Sequence, residues 1–157
     1  MCFATRPNEV FVSHCTADMA FVTRLVGILR GHHIPVWFSA SDIVGAQQWH
    51  DEIGAALKRC DWFIVVLSRN SVESRWVKDE YLYALRHRDQ YGKRILPILL
   101  ERCDTERLSW TLDDVQMLRF DKGVDAGYYE LFRVWGIGYR QPAINPVSSQ
   151  NNQDPVI

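Results

Sequence analysis

Two rhythms of apolar and polar positions alternate along the chain. Short, nearly continuous apolar runs read as strands buried on both faces. They are "EVFVSH" (9–14), "IPVWF" (34–38), "WFIVVLS" (62–68), "ILPILL" (95–100) and "VQMLRF" (115–120). Pro35 marks the start of the second strand or an edge position. Between the runs, apolar residues recur at helical spacing. Residues 17–31 place Phe21, Leu25, Ile28 and Leu29 on one face, with Gly31 near the stop. After a polar loop (39–48), a helix from about Trp49 to Arg59 groups Trp49, Ile53, Ala56 and Leu57. A third helix starts at Ser74, a good N-cap, and ends before Gly92. Residues 101–114 show neither rhythm, and 125–139 read as a closing helix.

A strand–helix alternation of this kind predicts a parallel sheet with helices on both faces. Five strands favour the flavodoxin-like order 2-1-3-4-5. Ligands in such sheets bind beyond the carboxyl ends of the strands, where the order reverses. That point falls between the first and third strands, beside Ser13, His14 and Ser68. One domain over 1–140 is expected, followed by a polar, Pro-containing tail (141–157) that reads as disordered or as a linker stub.

The third helix breaks its own pattern. With Trp76 at zero and roughly 100° per residue, Val77, Tyr81, Ala84 and Leu85 share one half of the helix. Glu80 falls inside that arc, at roughly 40°. Its neighbours three and four residues away are Trp76, Val77, Tyr83 and Ala84, none of them a cation. Asp79 points elsewhere. A carboxylate on an apolar arc is often just an edge residue that reaches water. Here Trp76 offers a flat surface one turn away, and the helix flanks the expected crevice.

Composition narrows the choices. At 157 residues, 47% apolar, 24% charged and a net charge of −1, the chain is an ordinary globular domain. That balance gives no case for nucleic acid or an anionic membrane. The apolar runs are too short to span a bilayer. The N-terminal "MCFATRP" lacks a signal-peptide core, so a cytoplasmic location is expected. Cys2, Cys15, Cys60 and Cys103 form no CxxC pair and no zinc spacing, and read as reduced thiols; no metal is expected. No glycine-rich phosphate loop or GxSxG elbow occurs. Neighbouring His14 and Cys15 point to opposite faces of a strand, which argues against a Cys–His pair. His32 and His33, at a helix end, suit the helix dipole.

Four stretches taken together carry a resemblance. They are "EVFVSHCTAD", "VWFSASDIVGAQQWHDEIGAAL" with its Gly-x-x-Trp-x-x-x-Ile spacing, "CDWFIVVLSRNSVESRWVKDEYLYAL" with Ser-x-Trp-x-x-x-Glu, and "ILPILL" with an embedded Pro. In this order the chain resembles the TIR (Toll/interleukin-1 receptor-like) domain family, especially its bacterial branch, over roughly residues 8–140. The resemblance implies cleavage of NAD+ at the nicotinamide–ribose bond, with NAD+ as substrate and no cofactor. It places the essential glutamate at Glu80, with Trp76 in the same motif. Asp79 and Glu73 are neighbouring alternatives that helical phase disfavours. Ser13, His14, Phe38 and Ser39 are candidate nucleotide contacts, although His14 departs from the family's usual aromatic or small residue. Self-association with other TIR domains through the loop containing Gly45 is implied too. Other expectations are a non-catalytic TIR interaction module and a nucleoside deoxyribosyltransferase-like enzyme.

Overall fold

The computed structural model describes residues 5–38 and 46–143, with the side chains of 46–49 excepted. Ser39, Gly45, Cys2, the Trp49 side chain and tail residues 144–157 lie outside the described residues. Five strands form one parallel sheet in the order β2-β1-β3-β4-β5. They are β1 (Val10–Ser13), β2 (Val36–Phe38), β3 (Trp62–Leu67), β4 (Arg94–Leu99) and β5 (Leu118–Arg119). The helices are α1 (Met19–Gly31), α2 (Ala46–Arg59), α3 (Arg75–Arg86) and α4 (Val124–Val134). This is the flavodoxin-like arrangement, and the order reverses between β1 and β3.

Strand alternation sorts the apolar residues into two layers. Val10, Val12, Ile64, Val66 and Ile98 face α1 and α4, where Leu25, Leu29, Leu131 and Phe132 are buried. Phe11, Phe63, Val65 and Leu67 face α2 and α3, where Ile53, Leu57, Val77 and Tyr81 are buried. The six residues of β3 are all buried, as its unbroken apolar run requires. Ser13 therefore shares the Phe11 face and looks toward α3.

Helix ends differ from the apolar rhythm where backbone geometry intervenes. Helix α4 stops at Val134 rather than continuing to 139. Gly136 adopts φ 65°. The Gly136 N–H then donates to Arg133 O at 3.1 Å and Ile137 N–H to Phe132 O at 3.0 Å. This pair of bonds is a Schellman stop. Helix α1 ends the same way with His33 at φ 61°. There His33 N–H reaches Arg30 O at 2.9 Å and Ile34 N–H reaches Leu29 O at 3.0 Å. Strand β5 is also shorter than its apolar run. Strand β4 offers it only Ile98 and Leu99 as register partners.

Gly127, in the first turns of α4, packs against a buried ring. A Cβ there would stand 2.6 Å from Phe120 ring carbons. The Phe120 ring is itself held edge-on by Phe21 and Tyr128 and has no space to retreat. Gly127→Ala is therefore expected to destabilise the fold by about 1–3 kcal/mol. That exceeds the gain in helix propensity of up to about 1 kcal/mol. A urea melt with a lowered midpoint and unchanged slope checks it.

Candidate active site

Helix α3 begins where the Ser74 side chain accepts the Val77 N–H at 3.3 Å. That cap fixes the phase of the helix. Val77, Glu80, Tyr81 and Ala84 are all buried in consequence. Glu80 is only 5% exposed. Among the described residues it makes no ion pair. Its Oε2 accepts a short hydrogen bond from Ser13 Oγ, at the carboxyl end of β1.

Burial pushes the Glu80 carboxyl up to about 7. Hydrogen bonds from Ser13 and Trp76 favour the charged form and limit the rise, while the nearby Asp79 charge adds to it. A carboxylate that titrates near neutrality without a cationic partner is held at a cost in solvation. Such a perturbed group beside a cleft marks a candidate functional site.

Beside it lies a cavity of about 240 Å³ between α2 and α3. Among the described residues it is lined by His50, Ile53, Gly54, Leu57, Trp76, Asp79, Glu80 and Tyr83. The half-buried Trp76 indole stands across from His50, with ring centroids 5.7 Å apart. A larger cavity, about 760 Å³, lies at the end of α1 beside Arg24, His32, His33 and Arg140. No carboxylate lines it among the described residues.

The neighbouring acids are differently placed. Asp79 has a 65% exposed side chain and lies 4.0 Å from Arg75. Glu73, 57% exposed, pairs with Arg107. Asp79 borders the Glu80 cavity from its exposed rim, and Glu73 does not line it.

The other expected contacts divide across the sheet. Ser13 and Trp76 join Glu80. His14 and Phe38 meet each other on the α1 side, ring centroids 6.2 Å apart. Phe38 packs against that core with the Arg30 guanidinium 5.6 Å above its ring. His14 is buried, its pKa lowered chiefly by that burial. Neither His14 nor Phe38 is among the residues that line the Glu80 cavity. Cys15 is no nucleophile either: burial first, and then its hydrogen bond to Asp18, push the thiol pKa up.

Sequence reasoning passed over two residues. Asp18 is 9% exposed and ties the turn after β1 to the turn after β3. It accepts Ser68 Oγ–H at 2.6 Å and Cys15 Sγ–H at 3.0 Å. His50 lines the cavity from α2. Its spacing to Ile53, Gly54 and Leu57, three, four and seven residues on, is the helical signal that could have found it.

A family model described as TIR domain matches residues 10–132, most of the chain, from β1 into α4. The chain belongs to the TIR domain family. No curated protein sequence is significantly similar to this TIR domain. Among solved structures, the TIR domain of the Toll-related receptor TRR-2 from Hydra magnipapillata superposes with a TM-score of 0.64 at 22% identity, covering 79% of this chain and 94% of that one. The heterodimer of the RPS4 and RRS1 TIR domains gives 0.57 at 18% identity, over 80% and 94%. The Clostridium botulinum CMP N-glycosidase BcmB gives 0.53 at 20% identity, over 78% and 98%. At these identities the likeness is one of fold. No helix among the described residues of this TIR domain is long and apolar enough to cross a membrane.

Proposed function

We propose that this TIR domain is an NAD+ nucleosidase that releases nicotinamide and leaves linear or cyclic ADP-ribose. The observation that carries the proposal is Glu80, buried, uncompensated by any described cation and bordering a cavity beside an indole. Ordinary glycosidases need two carboxylates because the leaving oxygen must be protonated. Nicotinamide leaves a cationic ring as a neutral molecule and needs no acid. What remains is a ribosyl centre bearing positive charge, and a preorganised carboxylate in a low-dielectric setting stabilises it. Ser13 orients that carboxylate and favours its ionised form. Trp76 supplies the stacking surface.

The family resemblance and the RPS4–RRS1 heterodimer support a second element, activation by self-association with other TIR domains. A role in signalling or defence follows from that switch. We place the protein in the cytoplasm, where the free thiols Cys15, Cys60 and Cys103 would persist. Ser39 and Gly45, outside the described residues, stay candidates for substrate contact and for the assembly loop.

The test is nicotinamide release from NAD+ across a series of protein concentrations, free and clustered on a scaffold. Turnover per molecule that rises with concentration supports the reading. A clustered TIR domain that self-associates yet releases no nicotinamide would instead be the non-catalytic interaction module.

A further inference from the structure

The Glu80 cavity is small for a dinucleotide. Its volume of about 240 Å³ falls below the roughly 300–1,000 Å³ of a pocket enclosing a drug-sized ligand. It has room for a base and its ribose, and the rest of NAD+ must lie outside. The cavity therefore senses the base, the sugar and the bond between them. Trp76 adds little discrimination, because every base has a face that stacks on an aromatic ring. What separates one base from another in this space is how it leaves. A pyridinium departs neutral. An uncharged pyrimidine departs with an extra electron pair and needs a proton.

A proton donor borders the same space. His50 is exposed on α2, its ring tilted 43° to the Trp76 indole at 5.7 Å between centroids. Histidine changes charge between about pH 5 and 8. The groups around it are Asp79, Glu80 and Tyr83 from α3, and Asp51 and Glu52 on its own helix. None of these described groups is a cation.

We propose that the site also hydrolyses pyrimidine ribosides and their 5′-monophosphates, with His50 as general acid. This rests on the reading that Glu80 opposes a ribosyl cation. The C1′–N1 bond breaks and its electron pair moves into the base. The His50 imidazolium gives its proton to the base, on O2. Ionised Glu80 faces the cation left at C1′. Water adds there and loses a proton to the Glu80 carboxylate, which returns it to solvent, and His50 is reprotonated from solvent. The balance is riboside plus water to base plus ribose, with no redox step.

The pH dependences of the two reactions must then differ. Release of nicotinamide needs only ionised Glu80, and its rate levels off above the Glu80 pKa of about 7. Release of cytosine needs ionised Glu80 with protonated His50, so its profile is bell-shaped.

The experiment incubates the assembled protein with NAD+, with cytidine and with CMP, and quantifies free base by chromatography from pH 5 to 9. Wild type, His50→Gln and Glu80→Gln are compared, with thermal unfolding to confirm each fold. Cytosine release is expected, with a falling alkaline limb that nicotinamide release lacks. His50→Gln is expected to remove that limb and to lower cytosine release about 10²-fold more than it lowers nicotinamide release, within the range for a general acid. Nicotinamide without cytosine overturns this inference and leaves the NAD+ reading standing. Equal losses on both substrates in His50→Gln overturn it as well. Cytosine without nicotinamide overturns the NAD+ reading and supports this one. Neither base from the wild type overturns both.

Discussion

Glu80→Gln is expected to abolish most NAD+ turnover while making the protein more stable at alkaline pH. The two effects have one cause. Loss of a preorganised charge-stabilising group typically lowers turnover by about 10²–10³-fold, and Gln keeps the shape without the charge. The stability gain follows from linkage. In the folded state the carboxyl pKa stands at about 7 against an ordinary 4.5. Between those values the native state holds a proton that the unfolded chain releases. Stability therefore falls as pH rises from about 4.5 to about 7, and the deficit is complete above that window. At about 1.4 kcal/mol for each tenfold change in proton affinity, the deficit is on the order of 3 kcal/mol. Glu80→Gln removes it, so the variant is expected to exceed the wild type by about 2–3 kcal/mol at pH 8 and to match it near pH 4. Denaturant melts at the two pH values check this. A variant that loses activity and stability together would mark Glu80 as an ordinary structural residue.

The second large effect concerns Ser13. For the wild type, kcat/KM for NAD+ is expected to rise with pH and to level off above about 7, because it reports ionisation of the free enzyme. Ser13 donates to the charged carboxylate and holds its pKa down. A hydrogen bond to a charged group contributes about 1.5–3 kcal/mol, equivalent to roughly one to two pH units. Ser13→Ala should shift the rising limb to about pH 8–9. The rate at pH 7 would fall by about 5–50-fold, and most of it would return on the new plateau. A uniform loss at every pH would mean that Ser13 shapes the site without tuning the acid.

Much of this was legible in the amino-acid order. Continuous apolar runs located β1 to β4, because strands buried on both faces have no polar positions to hide. The 3.6-residue period put Glu80 on the inner face of α3, and the Ser74 cap set the phase that makes the count valid. Chain reversals were less legible. The run 125–139 keeps its apolar rhythm past the point where Gly136 turns left-handed, so the end of α4 lies earlier than hydrophobicity alone suggests. The run 115–120 outlasts its pairing partners on β4. Long-range partnerships were hidden altogether. Ser13 and Glu80 are 67 residues apart, and only the β1–β3 crossover brings them together. The same crossover hides the Asp18–Ser68 bond. The split of His14 and Phe38 from Ser13 and Trp76 was available in outline from strand alternation, since neighbours along β1 face opposite layers.

Central to the account is a sheltered carboxyl that ionises in response to a cationic ribosyl group. A ¹³C titration of the glutamate carboxyls, with Glu80 assigned by its loss in Glu80→Gln, measures this without requiring turnover. The free protein should show one carboxyl titrating near pH 7, and a cationic imino-sugar mimic of ribose should lower that value by at least about one unit. A Glu80 carboxyl that titrates near 4.5, or that ignores the bound cation, would contradict the account.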